Sequence, residues 1–157
     1  MATDLIGPAM AAFLAEAQTL LVPAVGRAAL YPGLEVAWDD CCDGQLWVRL
    51  VNMQPGAPAQ PGQPCGVVLW NVTFGMGVLR CASPLYDDGR APDASALTAD
   101  TLQMTADSAA LQQAIQCAIA PAVERLTLNR WDPQGPQGGC VGGEWLFTVK
   151  LTNCPCS

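Results

Sequence analysis

The sequence predicts one α+β domain spanning residues 1–157, with a mixed or antiparallel sheet of about four to five strands packed by an N-terminal helix and a second, central helix. Three observations predict this class. Two stretches carry apolar residues at helical spacing, several shorter stretches alternate apolar and polar residues, and long Pro/Gly-rich segments lie between them. The chain is long enough to bury a core without metals or disulfides as obligatory staples.

Two helices are predicted. The first runs from Leu5 to about Val25, where Gly26 offers a stop, and alanines fill most positions between its larger apolar residues. So wide an apolar surface predicts burial on two sides, by the domain's own sheet and by a neighbouring subunit. The second helix runs from about Ala99 to Ala120, and Pro121 should end or kink it.

We interpret the apolar N-terminal stretch as a packed helix and not as a signal or membrane segment. Asp4 stands where a signal peptide would carry basic residues, and Pro8 and Glu16 interrupt the apolar run. We therefore expect no membrane association.

The predicted strands alternate apolar and polar residues. In the clearest one, Gly66 to Cys81, one face collects Val68, Trp70, Val72, Phe74, Met76 and Val78, which predicts one buried face. Gly75 and Gly77 lie on its other face, where strand glycines mark a bulge or a close backbone approach. The other predicted strands are Leu34–Trp38, Gln45–Met53, Val123–Trp131 and Glu144–Asn153.

Three Pro/Gly-rich segments are predicted to project as loops, at about residues 54–66, 83–97 and 132–143. The last lies between Trp131 and Trp145 in "WDPQGPQGGCVGGEW". It connects two predicted strands, and its length indicates a projecting loop and not a tight turn.

The eight cysteines leave three interpretations open. An adjacent pair at Cys41 and Cys42 and a terminal "CPC" do not have the C-x2-C spacing of zinc sites, and the chain has no histidine to complete a mixed site. Without a secretion signal, we expect free thiols that serve as small apolar fillers. A disulfide framework and a metal site are the alternatives.

Several classes of chemistry are excluded or disfavoured. The absence of histidine excludes Ser-His and Cys-His nucleophile systems. "GGCVGG" is followed by neither the Lys nor the helix of a phosphate-binding loop, and the pairs Asp39–Asp40 and Asp87–Asp88 occur in turn-like sequence. We therefore predict no enzyme and no catalytic, cofactor-binding or metal-binding residues.

The overall composition predicts self-association. Only 13% of residues are charged while 51% are hydrophobic, so much of the surface must be apolar or uncharged. The net charge of −7 opposes phosphate binding. We therefore do not expect the protein to be a conventional nucleic-acid binder.

Four stretches resemble a known group: "MAAFLAEAQTLL", "VVLWNVTFGMGVLR", "TADSAALQQAIQCAI" and "WDPQGPQGGCVGGEWLFTV". With these, the chain resembles the small neck and tail-completion proteins of long-tailed bacteriophages, tail terminators above all. The resemblance implies a virion protein, assembled in the host cytoplasm, that forms a six-fold ring, caps the tail tube and joins it to the neck. It implies three partners, namely further copies of the chain, the tail tube protein and a neck or stopper protein, and no cofactor.

DNA would pass through the lumen of such a ring without specific binding, because surplus carboxylates repel phosphates. The eight cysteines depart from the usual composition of these proteins. A head–tail stopper or adaptor is therefore an alternative, and a disulfide-stapled extracellular binding module is another.

The candidate site residues are interface residues. They come from the first helix and from the segment around the two tryptophans, and we expect them to contact a neighbouring subunit or the next ring: Phe13, Leu14, Trp131, Pro133, Pro136, Gly139, Cys140 and Trp145.

Overall fold

The computed structural model describes residues 4–33, 35–38, 41–56, 68–120 and 123–153. In these ranges the chain forms helices α1 (Ile6–Leu20) and α2 (Ala94–Cys117), and a short 3-10 helix at Cys41–Asp43. It also forms strands β1 (Arg27–Tyr31), β2 (Gln45–Pro55), β3 (Val68–Cys81), β4 (Val123–Gln137) and β5 (Cys140–Asn153). The predicted α+β class, with an N-terminal and a central helix, is confirmed.

The five strands form one mixed sheet in the order β1-β2-β3-β5-β4. β1 pairs parallel to β2, and the remaining neighbours pair antiparallel. The centre of the sheet is therefore β2, β3 and β5, and the short β1 and the long β4 form its edges.

The main core lies between the sheet and the two helices. Alternate residues of β3 are fully buried there, as their spacing predicted: Val72, Phe74, Met76 and Val78. The ring of Phe13 on α1 lies 6.0 Å from that of Phe74 and 5.0 Å from that of Phe147 on β5. Contacts among these three rings hold α1 against two central strands. Aromatic side chains bury large areas, so these contacts contribute strongly to the core.

Helix α1 is shorter than predicted. It starts where the Asp4 carboxylate accepts hydrogen bonds from the backbone N–H groups of Ile6 and Gly7, at 3.0 and 3.1 Å. It ends at Leu20 and not near Val25. Pro23 accounts for this difference, since proline disfavours helical geometry in the residue before it and cannot continue the hydrogen-bond ladder.

Helix α2 begins five residues before the predicted start at Ala99, and it ends at Cys117 and not at Ala120. A buried ion pair holds it to the sheet. The Arg80 guanidinium on β3 donates to both Asp107 carboxylate oxygens, at 2.6 and 2.9 Å, and also to the Pro23 carbonyl at 2.8 Å. Gln103 donates to Asp107 as well, at 3.0 Å. One cluster thus connects α2, β3 and the segment that follows α1.

The first strand is not the predicted one. Leu34–Trp38 was expected to be a strand, but residues 35–38 have no strand pairing, and Leu34 lies outside the described residues. β1 is instead Arg27–Tyr31, in register with Gln45 to Arg49 of β2. The short stretch "RAALY" lacks clear alternation, and pairing with β2 makes it a strand in spite of that.

The prediction of a projecting loop at 132–143 is wrong. β4 and β5 stay paired up to Gln137 and Cys140, with an irregularity after Gln134, and only Gly138 and Gly139 form the turn. Both glycines have positive φ, 59° and 77°, as a two-residue hairpin turn requires. The Gly/Pro-rich sequence therefore forms the end of a long hairpin.

The other two predicted loops are shorter within the described residues. α2 already begins at Ala94, so the loop predicted at 83–97 covers only residues 83–93. β2 extends to Pro55, and the Gly56 N–H donates to the Leu69 carbonyl at 2.6 Å. The rest of the segment predicted at 54–66 lies outside the described residues.

We expect Arg80→Met to lower the free energy of unfolding by about 3–5 kcal/mol, because it leaves the buried Asp107 carboxylate without a cation. Urea titration at neutral pH measures the change. The matched control is Arg90→Met, since Arg90 forms an exposed ion pair with Asp88 and its loss should leave stability nearly unchanged. Equal losses in the two variants would contradict the role given to the buried pair.

Candidate functional site

The face of the sheet opposite the helices is built around one buried carboxylate. Glu144 on β5 accepts a hydrogen bond from the Trp47 indole N–H at 2.7 Å. It also receives the Arg49 guanidinium in a bidentate pair, with Nε to Oε1 and Nη2 to Oε2 both at 2.6 Å. Both donors belong to β2, whose odd-numbered residues up to Arg49 point to this face before the register shift after Leu50. We call these three residues the Glu144 cluster.

Two glycines of β3 make the Glu144 cluster possible. Trp47, Gly77 and Glu144 are register partners across three adjacent strands, so the indole must cross β3 to reach the carboxylate. A β carbon on Gly77 would lie inside the Trp47 ring, and one on Gly75 would collide with Glu144 and Arg49. The close approach that the sequence predicted as one possibility at these glycines is therefore made by side chains from neighbouring strands.

The Glu144 cluster contains an ion pair between Arg49 and Glu144. Its side chains are nearly buried, with 14% of Arg49 and 4% of Glu144 exposed. The hydrogen bond to Glu144 raises the pKa of Arg49 above its ordinary value. Burial lowers this pKa, and the negative charge of Glu144 raises it. The Arg49 guanidinium therefore stays charged at any physiological pH.

Two disulfides fasten the 3-10 helix to this face. Cys41 is bonded to Cys140 at the start of β5, and Cys42 is bonded to Cys81 at the end of β3. Cys41 and Cys140 are buried in a small second core with Trp47 and Leu79, against which Tyr31, Val36 and Trp38 pack. The expectation of free thiols is therefore wrong for these four cysteines. Cys117 is an exposed free thiol, and Cys65, Cys154 and Cys156 lie outside the described residues.

An open groove of about 500 Å³ lies over the Glu144 cluster. Residues 35–38 form one wall, and the ends of β4 and β5 form the other. Its lining comprises Glu35, Val36, Trp38, Trp47, Arg49, Gln134, Gln137 and Glu144. Trp38 is half-buried, and Glu35 and Gln137 are exposed, so an aromatic surface, a carboxylate and an amide are presented to solvent here.

This arrangement is suited to contact and not to acid–base chemistry. The Glu144 carboxylate already accepts three hydrogen bonds, so it is poorly placed to take a proton from a substrate. The chain has no histidine, and within the described residues no group of three or more Cys, Asp or Glu side chains is placed to hold a metal ion. The groove offers hydrogen-bonding and stacking groups to a partner.

The predicted interface residues divide into three groups. Phe13 is 1% exposed in the main core and Leu14 packs against that core, so both stabilise the domain itself. Trp131 and Trp145 also pack against the core, with ring centroids 5.8 Å apart, and the Trp145 indole N–H donates to the Ser108 carbonyl on α2. They are register partners within the β4–β5 hairpin.

The remaining interface residues lie at the end of the hairpin. Pro133, Pro136 and Gly139 are exposed there and remain open to a neighbour. Cys140 is buried in its disulfide. The structure thus brings three of the eight predicted residues together on an accessible surface.

The Glu144 cluster was missed by the sequence reasoning. Its signal is weak, because Trp47 and Arg49 alternate along one strand and Glu144 lies nearly a hundred residues further along the chain. The paired glycines Gly75 and Gly77 were the available indication, since only a side chain crossing the strand requires both positions to be empty.

Replacement of Gly77 by alanine should displace the Trp47 ring and lower the free energy of unfolding by about 1–3 kcal/mol, the usual cost of overpacking a core. The near-ultraviolet circular dichroism of the tryptophans should weaken in parallel. Gly33→Ala is the control, because no neighbour among the described residues lies within 4 Å of the position its β carbon would take. A Gly77→Ala protein as stable as the Gly33→Ala protein would be incompatible with the crossing indole.

No protein-family model and no curated protein sequence matches this chain. None of the helices in the described ranges is long and apolar enough to cross a membrane.

Proposed function

We propose that the protein is a structural subunit of the head–tail interface of a long-tailed phage, a tail terminator that closes into a ring with copies of itself. The observation that carries the self-association part of the proposal is the outer surface of α2. The assignment to a phage neck comes from the sequence resemblance and depends on it.

The outer surface of α2 carries no charged side chain. The only ionisable carboxylates of this helix are Asp100, which accepts from the Ser83 backbone N–H at 2.8 Å, and Asp107, which is buried. The exposed residues are small, apolar or uncharged: Ala94, Ser95, Leu97, Thr98, Ala99, Thr101, Leu102, Thr105, Ala106, Ala109, Gln113, Gln116 and Cys117. A solvated helix face normally carries charges, so this surface is suited to burial.

Large apolar side chains lie on and beside this surface. Leu102 is 64% exposed, and Ile119, just after the helix, is 97% exposed. Val22 is 76% exposed, and it lies next to α2 because Gln103 donates to its carbonyl. Covering such side chains stabilises an assembly by about 25 cal/mol per Å² of apolar area removed from water.

Another groove, lined mainly by apolar residues, lies beside the N-terminal end of α2 and has a volume of about 280 Å³. Leu85 and Leu97 line it together with Pro136 and the hairpin turn at Gly138 and Gly139. The hairpin end and the α2 surface therefore border one groove. A head-to-tail ring requires two different complementary surfaces on each subunit, and this groove could receive a side chain from the next subunit.

The charge and the disulfides are compatible with a virion protein. A net charge of −7 makes the lumen of a ring repel DNA phosphates, which a conduit requires. Disulfides persist at virion surfaces and in extracellular space, while the cytosol keeps thiols reduced. The bonds at Cys41 and Cys42 would then form as the particle matures.

The two disulfides also favour a second candidate, a secreted binding module stapled by disulfides. In that case the groove over the Glu144 cluster would receive the ligand, and the protein would function as a monomer. A head–tail stopper or adaptor is a variant of the first proposal, since it shares the ring but not the position in the neck.

We expect the purified protein to sediment as a closed oligomer, six times the 16.4 kDa chain mass in the terminator proposal. Leu102→Asp should raise the dissociation constant by at least about tenfold, roughly 1.4 kcal/mol, because it buries an unpaired charge. Sedimentation velocity over a concentration series measures both quantities.

Ala91→Asp is the matched control, since it adds the same charge at an exposed position of the loop before α2. If the two substitutions raised the dissociation constant equally, the effect would come from the added net charge. That result would contradict the role of the α2 surface in self-association. A wild-type protein that stays monomeric at micromolar concentration would instead favour the secreted module.

A further inference from the structure

The two disulfides meet at one end of the sheet. Cys41 and Cys42 are adjacent in the 3-10 helix, and their partners Cys140 and Cys81 are register partners on β5 and β3. Four sulfur atoms from three elements are therefore gathered on the same face. The two bonds nevertheless have different surroundings.

Cys41 is 3% exposed and Cys140 is 4% exposed, and their bond is covered by the second core around Trp47. Cys42 and Cys81 are both exposed. Thiol–disulfide exchange requires a thiolate to reach one sulfur of the bond, so its rate depends on access. An external thiol can reach the Cys42–Cys81 bond in the folded protein, while it can reach the Cys41–Cys140 bond only after local opening.

We propose that the Cys42–Cys81 disulfide is a site of reversible modification by small uncharged thiols, and that the Cys41–Cys140 disulfide is the permanent staple. In the first step, the thiolate of the small thiol attacks one exposed sulfur. A mixed disulfide forms on that cysteine, and the other cysteine leaves as a thiolate that takes up a proton.

A second thiol molecule completes the reduction. It attacks the mixed disulfide and leaves Cys42 and Cys81 as two thiols, and the two small thiols leave as one oxidised disulfide. Two electrons pass from the small thiols to the protein. Reoxidation by a small disulfide reverses both steps.

The fold around the opened bond is held by other contacts. The Cys41–Cys140 bond still fixes the 3-10 helix to β5. The end of β3 stays paired with β5 up to Cys81 and Cys140, and the Ala82 N–H donates to the Gly139 carbonyl at 2.7 Å. Opening the exposed bond therefore releases two thiols at the surface without detaching the 3-10 helix from β5.

The test is a titration of the oxidised, native protein with β-mercaptoethanol, followed by alkylation with iodoacetamide and non-reducing peptide mass mapping. Cleavage after arginine and lysine separates Cys81 from Cys140, and fragment ions separate Cys41 from Cys42. We expect mixed disulfide and alkylation at Cys42 and Cys81 at a thiol concentration about tenfold or more below the one that opens Cys41–Cys140. Peptides with Cys65, Cys154 and Cys156 are resolved from these four.

Two variants sharpen the result. Cys117→Ser removes the exposed free thiol and should leave the order of opening unchanged. The double variant Cys42→Ser with Cys81→Ser should lose the low-concentration event and keep the Cys41–Cys140 bond. Simultaneous opening of both bonds in the wild-type protein, or opening of Cys41–Cys140 first, would overturn the proposal. Because this result comes from the wild-type protein, it tests the order of opening even if the double variant does not fold.

Discussion

Burial of the three central strands on both faces is the constraint on which the rest of the structure depends. On one face, Phe13 packs between Phe74 and Phe147 and brings α1 onto the sheet. On the other face, Trp47 crosses β3 at Gly77 and is held by Glu144. A strand buried on both sides needs a cover on each side. Residues 35–38 and 41–43 provide the second cover in place of a second helical layer. The disulfides then fasten that cover at the end of the sheet.

This arrangement determines which surfaces are left for function. The two buried carboxylates among the described residues are bound internally, since Glu144 binds Arg49 and Asp107 binds Arg80. The α2 helix packs one side on the sheet and presents an uncharged side outward, with Leu102 at its middle. The end of the β4–β5 hairpin lies beside it and lines the same apolar groove. Surfaces of this kind are the basis of the proposal that the protein associates with copies of itself.

Much of the fold was predictable because burial leaves a periodic pattern. The alternation in β3 identified its buried face correctly, down to Phe74 and Val78. Phe13 on α1, in contrast, was predicted to be an interface residue and lies in the main core. β1 was missed because a short edge strand is defined by its partner and not by its own residues. The segment after Trp131 was mistaken for a loop because Gly142 and Gly143, which suggested flexibility, serve to admit neighbouring backbone and the Trp131 ring. The pairing of Cys41 with Cys140 links residues 99 positions apart, and no local pattern encodes it.

The central claim is that the uncharged outer surface of α2 is buried between identical subunits of a ring. Averaged electron microscopy images of the purified, oxidised protein test it most directly, because they show symmetry and subunit contacts together. The account predicts closed rings with a central channel, six-fold in the terminator proposal, in which α2 lies at the boundary between neighbours. Particles of single-chain size, or rings whose contacts leave α2 facing solvent, would contradict it.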